Sequence, residues 1–190
     1  MIVVFEDEIL AMLLAETISG NPNNLDCLTE ENLAKVEILS SVTIEPRKAE
    51  DKIQSLRGLE NCINLRQLHL IDHNIKEIGA LYDINKLEIV NLRKNQIECI
   101  YPLVEKTTIK TLVLGQNNIK DVSILATLTG LERLYIQENP IENESLLFLN
   151  NLPSLQEVGL WETNELILDE VDQYKDHIKR VYTNKYAYGA

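Results

Sequence analysis

The feature that most constrains the fold of this chain is a run of apolar residues that repeats every 22 positions. Leu65, Leu87, Ile109 and Leu131 are spaced by 22 residues, and Leu155 follows after 24. Each begins the same series of apolar positions, and the third copy of that series consists of Ile109, Leu112, Leu114, Ile119, Val122, Leu125 and Leu128. A fixed period of this length predicts a solenoid, in which each repeat buries its apolar side against the next repeat.

The first part of each copy has the alternation of a short β-strand. We predict strands at 67–71, 89–93, 111–115, 133–137 and 157–161, which stack in parallel with one strand from each repeat. Because successive side chains of a strand point to opposite faces, Leu68 and Leu70 and their equivalents point inward. The predicted class is α/β, with a curved parallel sheet on the concave side and short helical turns on the convex side.

The two ends of the chain differ from the repeats, and we expect them to cap a single domain that spans 1–190. We assign 1–64 to a helical cap with an irregular first repeat, 65–164 to the regular array and 165–190 to a C-terminal cap. A cap is needed because the end of a solenoid would otherwise expose its apolar side.

Helical spacing predicts an α-helix over 5–16 in the N-terminal cap. A second short helix is predicted within 28–36, where Thr29 is suited to the N-cap position. The alternation from Val36 to Ile44 predicts a longer strand or a hairpin, and the charged residues 45–52 predict an exposed loop.

Two segments near the C-terminus also have predicted structure. Residues 143–153 are expected to form a short α-helix that Pro153 ends. Residues 168–178 have helical spacing, although Ile178, Val181 and Thr183 are also compatible with the start of a last strand.

The repeat resembles a known family of proteins. The string IKTLVLGQNNIKDVSILATL at 109–128 is similar to the 22-residue leucine-rich repeats of bacterial internalins and of eukaryotic phosphatase-regulatory proteins. Residues 28–33 and 53–60 resemble the helical cap of internalin-like proteins, and the repeat match covers about 53–164. The resemblance implies that the chain recognises another protein on its concave face.

The same resemblance implies a role for one polar position that follows each strand. In such repeats the asparagines at this position point inward and bond the backbone of the turn, whose buried N–H and C=O groups need partners. Asn95, Asn117 and Asn139 occupy it here, whereas His73 and Thr163 replace asparagine in the outer copies. We therefore expect the turns at His73 and Thr163 to be looser.

Composition excludes several classes of partner and site. The net charge of −12 opposes binding to nucleic acid and to an anionic membrane surface, and it favours solubility and a basic partner. The apolar runs are too short to span a bilayer, and the first residues do not resemble a secretory signal. Three cysteines without CxxC spacing, Cys27, Cys62 and Cys99, indicate neither a disulfide framework nor a zinc site.

The candidate site consists of outward positions on the predicted strands. Trp161 is the only tryptophan, and the period places it outward together with Tyr135 and several arginines. Tryptophan, tyrosine and arginine dominate binding hot spots. The predicted partner-binding residues on the concave face are His69, Ile71, Asn91, Arg93, Val113, Arg133, Tyr135, Gln137, Glu157 and Trp161. The alternative is an ordinary curved surface on which the C-terminal cap covers Trp161.

The sequence contains no recognisable catalytic or cofactor motif. His69 and His73 are four residues apart, but a strand and a turn direct them to opposite sides, so neither a metal site nor a cofactor is expected. We expect a monomeric, non-enzymatic bacterial adaptor or regulator in the cytoplasm that binds a protein. Two alternatives stay open: an internalin-like surface or secreted ligand for a host protein, if a signal peptide was removed, and a regulatory or inhibitory subunit of an enzyme such as a phosphatase or toxin.

Overall fold

A computed structural model of the chain describes residues 1–41, 48–142, 148–161 and 178–182. Its core element is a sheet of seven parallel strands that follow one another in chain order. These strands are β1 (Ile38–Ser40), β2 (Gln67–His69), β3 (Ile89–Asn91), β4 (Thr111–Val113), β5 (Arg133–Tyr135), β6 (Glu157–Gly159) and β7 (Arg180–Tyr182). The arrangement confirms the predicted solenoid with one strand per repeat.

The register of the sheet places equivalent residues of neighbouring repeats side by side. Gln67 pairs with Ile89, Ile89 with Thr111, and Thr111 with Arg133. The five strands predicted from the array start at the expected residues, although each is assigned only three residues instead of five. Parallel bonding continues beyond these limits, since the Leu70 N–H donates to the Asn91 carbonyl at 2.9 Å. Outward positions of successive repeats therefore form straight columns across the sheet.

The core is built from the inward residues of the repeats. Leu68, Val90, Leu112, Leu134 and Val158 are fully buried, one from each of the five central strands. Cys62 occupies an equivalent apolar position at the end of the first repeat and is also buried, as the sequence predicts. Burial raises the pKa of its thiol to about 12, so Cys62 behaves as a small hydrophobic residue and not as a nucleophile.

The returning segments contain the expected short helical turns, which are 3₁₀ turns. They span Leu59–Asn61, Gly79–Leu81, Tyr101–Leu103 and Ser123–Thr127. Lys106, the one polar residue at the apolar positions of the three copies that begin at Leu65, Leu87 and Ile109, is buried next to them. Its ammonium group donates to the carbonyls of Tyr82 and Ile84 at 2.9 and 3.0 Å, and burial lowers its pKa. Backbone carbonyls thus accept hydrogen bonds from a charged group at a position that is apolar in the neighbouring repeats.

The turn after each strand is held by the predicted asparagines. The Asn117 amide donates to the carbonyls of Leu92 and Leu114 at 3.0 and 2.9 Å and accepts from the Ile97 N–H at 3.0 Å. Asn95 and Asn139 make equivalent bonds, which confirms that these side chains point inward.

The turn at His73 keeps part of this arrangement, and the expectation that it is looser than the asparagine turns stays a prediction. His73 is buried, and its Nδ1 accepts from the Ile53 N–H at 3.0 Å, as an asparagine oxygen does in the next repeat. An imidazole nitrogen can serve as acceptor in place of the amide oxygen. Thr163, the other predicted break, lies outside the described residues.

The N-terminal cap consists of the two predicted helices, α1 (Glu8–Ser19) and α2 (Glu30–Leu33). Thr29 is the N-cap of α2, as predicted, because its hydroxyl accepts from the Asn32 N–H at 3.2 Å. Asp7 caps α1 and also accepts from the backbone of the first repeat, at 2.6 Å from the Gln54 nitrogen. This carboxylate therefore fixes the cap to the array.

The segment between the cap and the array differs from its prediction. β1 has three residues and pairs in parallel with β2, so the longer continuous strand is wrong, whereas a hairpin would involve 42–47 and stays a prediction. Leu39 faces the core and Ile38 faces outward. Residues 42–47, which include most of the predicted extension, lie outside the described residues. The solenoid register imposes the same three-residue strand here as in the regular repeats.

The C-terminal predictions have a mixed outcome. β7 confirms the last strand that Ile178 and Val181 allow, since Val158 pairs with Val181. Of the predicted helix at 143–153, residues 143–147 are not described, and 148–151 form a 3₁₀ turn instead of an α-helix. The rest of the predicted cap, 165–177 and 183–190, lies outside the described residues.

Candidate functional site

The candidate site is the outward side of strands β2 to β6, which we call the concave face. Alternation places three outward positions in each repeat, at the first and third residues of the strand and two residues further on. The concave face comprises Gln67, His69, Ile71, Ile89, Asn91, Arg93, Thr111, Val113, Gly115, Arg133, Tyr135, Gln137, Glu157, Gly159 and Trp161.

The part of the concave face on β2 to β4 is partly open to solvent. Its side chains are half-buried, and we call the following set the middle of the concave face: Gln67, His69, Ile71, Ile89, Asn91, Arg93, Thr111 and Val113. Partial burial lowers the pKa of His69, so its imidazole is neutral at pH 7 and can both donate and accept a hydrogen bond. This region combines apolar, neutral polar and cationic groups that a partner can reach.

The part of the concave face on β5 and β6 is closed at three side chains, whereas Arg133 at the start of β5 is exposed. Tyr135, Gln137 and Trp161 are 7%, 2% and 4% exposed, so the expectation that these three side chains are exposed is wrong. Their role in partner binding is a separate prediction that burial leaves untested.

Two glycines explain why these large side chains lie flat against the sheet. A methyl group at Gly159 would come within 2.9 Å of ring atoms of both Tyr135 and Trp161. A methyl group at Gly115 would come within 2.4 Å of the Gln137 side chain. The missing side chains of the glycines leave space on the sheet, and the neighbouring Tyr135, Gln137 and Trp161 fill it. The predicted cover of Trp161 by the C-terminal cap falls mainly on 165–177 and 183–190, which the structure does not describe.

Glu157 is the one carboxylate at an outward position of this face, and protein donors engage it. The Tyr135 hydroxyl donates to its Oε1 at 2.6 Å, and the Arg180 guanidinium lies 3.8 Å from its Oε2. The negative charge of Glu157 is therefore compensated within the sheet.

Two arginines of the face bind neutral acceptors instead. The Arg133 guanidinium donates to the Thr111 hydroxyl at 2.8 and 3.1 Å. Arg93 Nε donates to the Gln116 amide oxygen at 2.9 Å. In the described part of the chain, no carboxylate lies within 4.0 Å of either guanidinium. Both arginines thus keep charge that is available to a partner.

His69 and His73 do not converge as metal ligands would. His69 lies on the outward side of β2, whereas His73 points inward and bonds the backbone. The described residues contain no group of three histidine, cysteine, aspartate or glutamate side chains that could hold a metal ion.

The longest helix among the described residues, α1, has 12 residues. A bilayer crossing takes about 20, and none of the described helices is long and apolar enough to cross a membrane.

Comparison with known proteins places the fold. No family model matches the chain, and no curated protein matches it. Among solved structures, an internalin (InlF) of Listeria monocytogenes is 18% identical with a TM-score of 0.56, and the match covers 95% of this chain and 63% of the internalin. A leucine-rich repeat protein of Leptospira interrogans is also 18% identical, with a TM-score of 0.66, and the match covers 83% of this chain and 40% of that protein.

A second Listeria monocytogenes internalin, internalin C2, is 21% identical over 95% of both chains, with a TM-score of 0.47. By the coverages given for the other two structures, this chain spans less than two thirds of the length of the InlF and Leptospira proteins. At these identities the likeness concerns the fold, and it agrees with the seven-stranded parallel sheet. The fold is a leucine-rich repeat solenoid of the kind found in internalins.

Proposed function

We propose that this chain is a protein-binding adaptor or regulator that holds its partner on the middle of the concave face. The observation that carries the proposal is an apolar patch on the outward side of adjacent strands. Ile89 and Val113 lie at diagonal positions of the adjacent strands β3 and β4, Ile71 follows β2 in the preceding repeat, and all three side chains are partly exposed. Apolar patches on an otherwise polar surface are typical of protein-interaction sites.

The scaffold supports this use of the patch. Inward leucines and the asparagine bonds hold the strands in one register, so the surface is ordered before a partner arrives. A preformed surface lowers the ordering cost of binding. The likeness in fold to internalins supports a role in protein recognition.

The buried residues at β5 and β6 take a supporting role in the proposal. Tyr135, Gln137 and Trp161 form the closed border of the site, and Glu157 holds that border to β7 through Arg180. We expect them to shape the surface while the half-exposed side chains of the middle make the main contacts with the partner.

The test is a pull-down of partners from the native host, which compares two double variants with the wild type. Ile89→Asp/Val113→Asp places two charges in the apolar patch. Ile63→Asp/Tyr101→Asp places two charges at apolar side chains that are 54% and 58% exposed outside the concave face. Circular dichroism and the unfolding midpoint verify that both variants fold.

We expect the first variant to lose the partner and the second to retain it. Equal retention by both variants would contradict the proposed site. The partner's identity distinguishes three roles: a cytoplasmic protein fits an adaptor, a catalytic subunit fits a regulator or inhibitor of an enzyme, and a host receptor fits a surface or secreted ligand.

A further inference from the structure

Two arginines of the concave face flank an apolar side chain along a diagonal of the sheet. Arg93 occupies the third outward position of its repeat, Val113 the second position of the next repeat, and Arg133 the first position of the repeat after that. With strands about 4.8 Å apart and a rise of about 3.3 Å per residue, the two arginines are about 16 Å apart, with Val113 halfway between them.

The nearby carboxylates have charged or hydrogen-bonding donors within the protein, but the positive charges of these two arginines have no such carboxylate partner among the described residues. Asp72 at the rim pairs with Lys52 at 2.8 Å, and Glu157 binds Tyr135 and Arg180. Glu138 accepts from the Gln116 amide at 2.8 Å, and that amide separates it from Arg93. The anionic groups around the site therefore have donors within the protein, whereas the two guanidinium groups have only neutral acceptors among the residues that the structure describes.

The local charge of the site differs in sign from that of the whole chain. The net charge of −12 repels acidic partners at long range. On the concave face itself, two arginines stand against one glutamate that is already engaged. Over short distances these arginines favour carboxylates, because a charge-assisted hydrogen bond is stronger than a neutral one.

We infer that the partner of the concave face presents an acidic peptide segment in which an apolar residue lies between two carboxylates. The apolar residue packs on Val113 and Ile89, and the carboxylates bind Arg93 and Arg133 on either side. The inference rests on the proposed function, because it specifies the chemistry of the partner for that surface. It also means that the local charge of the site, and not the net charge of the chain, selects the partner.

A polyanion is a poorer occupant of this surface than such a peptide. Nucleic acid binding needs many cations along a phosphate backbone, whereas this site has two arginines with an apolar side chain between them. The net charge of −12 further opposes a long polyanion. A short acidic segment gains both the apolar contact and the two ion pairs.

The experiment selects binders from a phage-displayed library of random 12-residue peptides on the wild-type protein. Enriched peptides are then titrated against Arg93→Gln/Arg133→Gln, which removes both charges and keeps polar side chains. Lys76→Gln/Lys120→Gln is the matched control, since it removes two exposed positive charges outside the concave face. The Ile89→Asp/Val113→Asp variant reports separately on the apolar patch.

We expect enriched peptides to carry aspartate or glutamate on both sides of an apolar residue. Their affinity should fall about tenfold in the arginine variant and stay within about twofold in the lysine variant. Binding should also weaken as salt is raised, because the ion pairs are near the surface.

The other outcomes separate the inference from the proposed function. Peptides that need Ile89 and Val113 but lack acidic residues, or bind the arginine variant normally, would overturn the inference and leave the proposed function intact. Absence of enrichment, or equal binding to all the variants, would overturn both. Sedimentation could instead show that the wild type forms dimers as its concentration rises and that the arginine variant does not. This result would assign the face to a second copy of the chain and also overturn the inference.

Discussion

The inward side of the sheet is the same in repeat after repeat, whereas its outward side changes between β4 and β5. Inward leucines are fully buried along the array, and asparagines make the same three bonds in successive turns. On the outward side, Val113 is half-exposed, but Tyr135 in the same column of the next repeat is buried.

The difference shows what the repeat does and does not constrain. Every inward residue fills the same space between two neighbouring repeats, so one residue type suits every copy. An outward residue contacts only its neighbours on the face, so a glycine in one repeat changes the burial of side chains in the next. Gly159, which leaves space that Tyr135 and Trp161 occupy, is the clearest case.

The largest loss of stability should come from removing the inward hydrogen bonds of Asn117. Asn117→Ala removes the acceptor for the Ile97 N–H and the donors for two buried carbonyls. We expect a loss of about 2–4 kcal/mol in the free energy of unfolding, measured by urea denaturation. The matched control is Asn118→Ala at the exposed neighbouring residue, which should cost less than about 0.5 kcal/mol. Equal losses in the two variants would show that the inward bonds do not stabilise the repeat.

A smaller effect is expected where the outward side is closed. Gly159→Ala places a methyl group 2.9 Å from rings of Tyr135 and Trp161, which must move. The expected cost is about 1–3 kcal/mol, with a red shift of Trp161 fluorescence and stronger quenching by acrylamide as the ring becomes exposed. Gly79→Ala serves as control, because its methyl group has no heavy atom within 4 Å. An unchanged emission spectrum in Gly159→Ala would argue against the packing of Trp161 on Gly159.

The smallest effect concerns His69 on the open part of the face. Its pKa in the folded state is lowered by burial below the ordinary value of 6.5, so the unfolded chain binds a proton more readily. The stabilisation due to neutral His69 is complete above pH 6.5 and is lost as the pH falls toward the lowered pKa.

His69→Gln should therefore reduce the loss of unfolding free energy between pH 7.5 and 5 by a few tenths of a kcal/mol. Urea titrations of wild type and variant at both pH values measure this difference. A larger loss in the variant than in the wild type would reverse the assigned direction of the pKa shift.

The inward half of the fold was predictable from the sequence. A 22-residue period identifies which residues are buried and where the strands begin, and the family resemblance indicates which asparagines bond the turns. These features depend on local alternation and on the contact between similar repeats, and both can be recognised in the amino-acid sequence. The alternation from Val36 to Ile44 predicts too long a continuous strand, because alternation alone does not show that β1 pairs with β2 over three residues, as the strands of the regular repeats do.

The turns contain residues with positive φ that could not be predicted from the sequence. Asp72, Lys94, Gln116 and Glu138 have φ between 54° and 61°, in the left-handed region where glycine is expected. They stand at one position of the repeat, directly before the inward histidine or asparagine. The bonds of that following residue hold the turn. Because the residues with positive φ are not glycines, the sequence gives no sign of the left-handed conformation.

The exposure of the candidate site was only partly predictable. Alternation correctly places all the candidate residues on the outward side, but it carries no information on whether a neighbour folds over them. Trp161 packs on Gly159 of the same repeat, and Gln137 packs on Gly115 of the preceding repeat. The uncompensated charge of Arg93 and Arg133 likewise depends on which acceptors lie within reach.

Site-specific photo-cross-linking shows whether a partner binds the middle of the concave face. A benzophenone amino acid replaces Val113 in one variant and exposed Ile63, outside the face, in another. Both are irradiated in the native host after their folding has been verified. The account predicts a cross-linked partner from position 113 and none from position 63. A partner cross-linked at 63 but not at 113 would contradict it.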